Sequence, residues 1–206
     1  MSLDAMDFDA ILFDFDGVLV DSEPLHHAAW MEALEPYGVR VDWETYRREW
    51  VGVSDRAVIE RLGGKLEPPV SFEELWATYP RKRDAFNARM AVEPIFPEST
   101  LELIRSLAEM PLAVVSSSDR TEVEPPLVRA GIRERFATLV CGREAPRLKP
   151  DPAPYRMAAE RLGVRRPLVV EDSEAGRAAG EAAGFEVLFI RDPREVAERV
   201  RERLGR

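Results

Sequence analysis

Five short apolar runs constrain this chain more than any other feature: "AILF", "LAVV", "FATLV", "PLVV" and "EVLFI" recur between segments with helical spacing. Runs this brief, bounded by turn residues and separated by a helix each, predict strands buried on both faces of a mostly parallel sheet. Between the first run and the second lies a long stretch of a different kind. "LHHAAWMEALEPYG", "DWETYRREWVG", "SDRAVIERLGG" and "SFEELWATYPRKRDAFNARM" all carry helical patterning, with Gly38 as a stop and Pro80 as a kink or restart. The expected architecture is therefore a Rossmann-like α/β fold with helices on both faces of the sheet and a helical insert after the first strand. We read residues 1–21 and 93–206 as the core and 22–92 as the insert. The helix before the second strand is read as Thr100–Glu109, and the last helix as Pro193–Leu204.

The first strand carries a conflict. In "AILFDFDGVLVDSEP", Asp14, Asp16 and Asp21 interrupt or follow a run that belongs in a core. In an open α/β sheet the reactive edge lies beyond the carboxyl ends of the strands. Asp14 and Asp16 follow the first strand, Ser116 and Ser117 the second, Lys149 a loop beyond the third, and Glu171 with Asp172 and Ser173 the fourth. Asp14 and Asp16 are two positions apart, so extended backbone directs both to one side. Like charges so close need a cation or a shared proton, and hard carboxylate oxygens suit Mg²⁺, which commonly engages phosphate. Such an arrangement lets Asp14 attack phosphorus, Asp16 transfer protons, and Ser116 and Lys149 meet the phosphoryl oxygens. Ser173 is placed to cap the helix of "EDSEAGRAAGEAAG", whose small residues allow it to lie close to the sheet.

These segments, "DFDGVLVDS", "VVSSSD", "LKPDPAPY" and "VVEDSEAG", resemble in order and spacing the four motifs of the haloacid dehalogenase-like hydrolases. The subgroup resembled is that of the beta-phosphoglucomutases and small sugar-phosphate phosphatases, and the resemblance spans essentially the whole chain. It implies a Mg²⁺-dependent phosphoryl transferase with Asp14 as nucleophile and Asp16 as general acid/base. Ser116 and Lys149 then match the phosphate-binding pair, Asp172 the metal-ligating carboxylate and Glu171 its acidic neighbour. The backbone carbonyl of Asp16 is a further implied metal ligand. Members that cleave carbon–halogen bonds lack the second aspartate, which favours phosphoryl transfer here. In the insert, the resemblance implies that His26 contacts the acid/base aspartate and that Lys82 meets the distal part of the substrate; a solvated basic face is the alternative for Lys82. Arg56 is a further candidate substrate contact of the insert, but the mutases carry an arginine directly after "GVS", whereas "GVSDRAV" has Asp55 there and Arg56 one place later. A carboxylate at that position repels a second phosphate, so a monophosphatase for a sugar or polyol phosphate is the reading, with a phosphosugar mutase as the alternative.

Composition narrows the partners. With 29 basic and 38 acidic side chains the formal charge is -9, which gives no global attraction for nucleic acid or anionic membranes. A single cysteine excludes an intrachain disulfide and a thiolate zinc cluster. A small phosphorylated metabolite is the expected partner of a cytoplasmic protein that is monomeric or weakly homo-oligomeric.

Overall fold

The computed structural model describes residues 8–205, except 52, 54 and 94. Five strands form one parallel sheet: β1 (Ala10–Phe13), β2 (Leu112–Ser116), β3 (Thr138–Cys141), β4 (Pro167–Glu171) and β5 (Glu186–Phe189), in the order β3-β2-β1-β4-β5. Every residue of β1, β2 and β4 is buried, as apolar runs without alternation require. β5, at one edge, alone has an exposed residue, Glu186. The chain runs outward from β1 through β2 to β3, then returns to the other side of β1 for β4 and β5. The loops leaving β1 and β4 therefore diverge, and the cleft between their carboxyl ends is the switch point where open α/β sheets bind ligands.

The chain divides into two compact units, Met1–Asp21 with Ile95–Arg206, and Ser22–Pro94. The second contains α1 (Glu23–Leu34), α2 (Trp43–Glu49), α3 (Asp55–Gly63), α4 (Phe72–Trp76) and α5 (Tyr79–Val92). Pro80 occupies the first turn of α5, where its missing N–H has no partner to lose, so it restarts a helix rather than bending one. Trp30, Leu34, Tyr46, Ile59 and Leu75 form the centre of this unit; Trp50 and Trp76 pack around it, while Trp43 stacks on Tyr46 at its surface.

The first unit adds α6 (Glu98–Ser106), α7 (Arg120–Arg129), α8 (Ala153–Leu162), α9 (Glu174–Ala183) and α10 (Val196–Arg203). α6 begins two residues earlier and ends three earlier than its sequence pattern suggests, because Pro97 initiates it and Leu107 leaves helical geometry. Pro193 starts a separate 3₁₀ turn, so α10 begins only at Val196. α9 lies close to the sheet: a side chain at Gly180 would put its Cβ 2.7 Å from Val187. Where the chain leaves and re-enters this unit, Asp21 N–H donates to the Ile95 carbonyl at 2.8 Å.

Candidate active site at the strand ends

Asp14 N–H donates to the Val170 carbonyl at 2.9 Å, extending the β1–β4 ladder one residue beyond β1. This fixes Asp14 beside the end of β4, with its carboxylate buried. The chain then turns sharply: Leu19 and Val20 N–H both return to the Phe15 carbonyl, and Phe15 packs edge-on against Phe96 at 6.2 Å. Gly17 has φ +75°, and a Cβ there would lie 2.0 Å from Asp172 Oδ2. Asp172 thus lies directly against the segment that carries Asp16, an approach that only glycine permits.

Lys149 bridges the two sides of the cleft. Its ammonium donates to Asp14 Oδ1, to Glu171 Oε1, and to the Val115 carbonyl at 2.8 Å, and its side chain is 5% exposed. Glu171 is completely buried and accepts from five groups: Lys149 and Tyr155 Oη on Oε1, and Asp172 N, Ser173 N and Ser173 Oγ on Oε2. Burial opposes its ionisation, but Lys149 and these hydrogen bonds outweigh burial and hold its carboxyl below the usual range. Asp14 goes the other way: burial pushes its carboxyl well up against the pull of Lys149, with Glu171, Asp172 and Asp16 adding to the rise. Burial, then Glu171, raise Asp172 to about 7. For Lys149, burial is outweighed by Asp14 and Glu171, and its pKa is raised.

Oxygens of Asp14, Glu171 and Asp172 lie within 4.8 Å of one another. A carboxylate offers about four lone-pair sites, so the five donors on Glu171 use its capacity. Asp14 and Asp172 are the carboxylates left to hold an ion, and the upward pressure on both is what a divalent cation would relieve. The donor set is all oxygen, as Mg²⁺ prefers.

The second strand supplies a hydroxyl set. Ser116 is buried, and its Oγ accepts from Ser118 N–H at 3.0 Å, while Ser117 is exposed. Ser118 Oγ donates to Asp16 Oδ2 at 2.8 Å. Burial raises the Asp16 carboxyl, and this hydrogen bond opposes the rise. Ser118 was not singled out by sequence reasoning, although it stands two positions after Ser116 in the same serine run. Ser173 caps α9 by accepting from Gly176 N–H, as its position suggested.

In the helical unit, Lys82 is 3% exposed, so the solvated-face reading does not describe it. Its ammonium contacts His26 Nδ1 at 3.0 Å and Asp55 Oδ2 at 3.0 Å, with Trp30, Tyr79 and Phe86 rings around it. Trp30 Nε1 also donates to Asp55, and His26 stacks on Phe86 at 3.9 Å. A cavity of about 100 Å³ is lined here by Glu23, His26, Trp30, Tyr46, Trp50, Val53, Asp55 and Val58. Arg56 is not gathered with them: it pairs with Glu60 at 3.0 Å and lies over Phe72, because one helical position from Asp55 turns it to another face. His27 packs among Trp43, Tyr46 and the Val41 carbonyl. Among the described residues no helix is long and apolar enough to cross a membrane.

A sequence profile of haloacid dehalogenase-like hydrolases matches residues 11–190. The chain is 32% identical over 184 residues to a phosphorylated carbohydrates phosphatase of Thermotoga maritima, covering 88% of this chain and 84% of that one. It is 28% identical over 193 residues to a fructose-1-phosphate phosphatase of Escherichia coli, covering 88% and 95%. Among solved structures, a Thermotoga maritima protein described as a candidate beta-phosphoglucomutase superposes with a TM-score of 0.69 at 27% identity, over 95% of this chain and 99% of that one. The chain belongs to the haloacid dehalogenase-like hydrolases. Within them it falls in the subgroup of beta-phosphoglucomutase-like proteins and sugar-phosphate phosphatases, as a phosphoric monoester hydrolase.

Proposed function

We propose that the protein is a Mg²⁺-dependent phosphatase of small sugar or polyol monophosphates that works through an aspartyl-phosphate on Asp14. The observation that carries this reading is the convergence at the β1/β4 switch point of Asp14, Asp172 and the bridging Lys149. A carboxylate oxygen of Asp14 attacks phosphorus, the ester P–O bond breaks, and Asp16 protonates the departing oxygen. Water, deprotonated by Asp16, then attacks the same phosphorus; the P–O bond to Asp14 breaks, releasing orthophosphate and restoring the carboxylate. Asp14 and Asp172 side chains, with the Asp16 backbone carbonyl, would hold Mg²⁺, which when bound supplies positive charge against the carboxylates and the phosphoryl oxygens. Ser116, whose Oγ is used as an acceptor by Ser118, keeps its proton to donate to a phosphoryl oxygen. Lys149 neutralises charge on the same group.

The similar proteins support the substrate class. The relatives named above act, by their names, on phosphorylated carbohydrates and fructose 1-phosphate. Both names are those of phosphatases, which favours hydrolysis over a mutase cycle through a bisphosphate.

The test is a screen of phosphorylated metabolites with and without Mg²⁺. It includes beta-glucose 1-phosphate and follows free phosphate and glucose 6-phosphate in parallel. Phosphate release from small sugar or polyol monophosphates is expected, with Asp14→Asn losing detectable turnover. Isomerisation with little release would favour the mutase, and undiminished activity of Asp14→Asn would remove the nucleophile assignment.

A further inference from the structure

The "LKPDPAPY" motif ends in Tyr155, a residue to which none of the steps above gives a role. It is fully buried at the start of α8, its hydroxyl donates to Glu171 Oε1 at 2.7 Å, and its ring lies 5.0 Å from the Lys149 ammonium. Lys149 has three N–H donors, and all three are taken, by Asp14, Val115 and Glu171. A phosphoryl oxygen can therefore gain a bond from Lys149 only if one of these acceptors gives one up. The cost of that exchange depends on what the abandoned acceptor has left, because an unsatisfied buried carboxylate oxygen or carbonyl is expensive. Asp14 is the partner Lys149 must stay near if both face the same phosphorus. At Glu171 Oε1 a second donor is already in place, and it is the Tyr155 hydroxyl.

We propose that Tyr155 is a positioning residue of the phosphate site: its hydroxyl keeps Glu171 satisfied so that Lys149 can transfer a hydrogen bond from Glu171 to the phosphoryl group. The proposal rests on Lys149 as a phosphate-binding residue. Removal of the hydroxyl leaves Lys149 as the sole donor on Oε1 and ties it to Glu171. The defect then falls on phosphate binding more than on the chemical step.

Tyr155→Phe keeps the ring and its packing and removes only the hydroxyl. Orthophosphate affinity, measured by calorimetry with Mg²⁺ present, is expected to fall about tenfold, equivalent to about 1.4 kcal/mol. KM for the best substrate of the screen rises by a similar factor while kcat stays within about twofold, a split that general loosening of the fold would not give. Incorporation of 3-fluorotyrosine at position 155 of the otherwise unaltered chain gives an independent measurement, since its ¹⁹F resonance should shift when orthophosphate is added. Unchanged orthophosphate affinity in Tyr155→Phe, or a ¹⁹F resonance indifferent to orthophosphate, overturns the proposal while leaving the phosphatase reading intact. If the unaltered protein neither binds orthophosphate nor releases it from any ester, both fail.

Discussion

Acidification from pH 7 to pH 5 should cost the helical unit stability through one side chain, His26. Lys82 has donors only, so its contact with His26 Nδ1 makes that nitrogen an acceptor and places the ring proton on Nε2. The ring is neutral, flat against Phe86, with Asp55 behind Lys82 and Glu23 on the same cavity wall. Protonation at Nδ1 would break the contact and set a second cation against Lys82. Burial, then Lys82, accordingly lower the His26 pKa to about 4, with Asp55 opposing. The folded value lies below that of the unfolded chain, about 6.5, so between the two the unfolded chain binds more protons. The cost of His26 therefore fades above pH 6.5, and stability is lost as pH falls from there toward 4. Linkage between pKa values of about 4 and about 6.5 gives a loss of about 2 kcal/mol at pH 5, against about 0.2 at pH 7. Asp172, raised to about 7, and the likewise raised Asp14 and Asp16 work in the opposite direction, so the raw stability curve mixes all of these. The informative quantity is the difference between the protein and His26→Gln, by denaturant unfolding at both pH values. That difference should move by close to 2 kcal/mol. The chain has two histidines, so ¹H–¹⁵N spectra can follow each one. A flat difference, or His26 titrating near 6.5 with its proton on Nδ1, would refute the buried neutral pair.

Two further outcomes bear on the strand-end site. In Gly176→Ala the new Cβ would fall 1.7 Å from Glu171 Oε1, and a carboxylate tied by five hydrogen bonds has little freedom to retreat. Overpacking of about 1–3 kcal/mol is set against a helix-propensity gain of about 1 kcal/mol, so a net loss of stability is expected by thermal unfolding; an unchanged or raised Tm would count against the tight Glu171 cage. Mg²⁺ at a hundredfold excess over its Kd should stabilise the folded protein by about 2.7 kcal/mol, visible as a rise in Tm that Asp172→Asn largely removes.

The strands were legible because each is a short apolar run with no alternation, and β1, β2 and β4 are buried on both faces as that pattern demands. Strand order was not legible, since pairing joins segments far apart, such as Phe13 with Val170, and nothing local encodes it. At the site, Asp14 and Asp16 could be read as carboxylates in a run that belongs in a core, and Glu171 with Asp172 as acids at the end of another buried run. Ser118 and Tyr155 could not, because a serine turn and an aromatic on an amphipathic helix are ordinary until their partners, Asp16 and Glu171, are known. Asp55 was read as a bare repulsive charge. In the structure Lys82, 27 residues away, takes both its oxygens, and the long separation is why the pairing escaped the sequence.

The hydrogen bond from Asp21 to Ile95 has a meaning for how such a chain can vary. It joins the two points where the core is interrupted, 2.8 Å apart from N to O, so that the core closes upon itself before any of residues 22–94 is considered. To the sheet, the whole helical unit is one long excursion between neighbouring backbone positions. The entropy of closing such an excursion grows only logarithmically with its length. None of the residue pairs that set the β1–β2 and β1–β4 registers lies between those points, so a change of length there need break none of them. The part of the chain that carries the carboxylates and Lys149 can thus stay constant while the inserted part is rewritten.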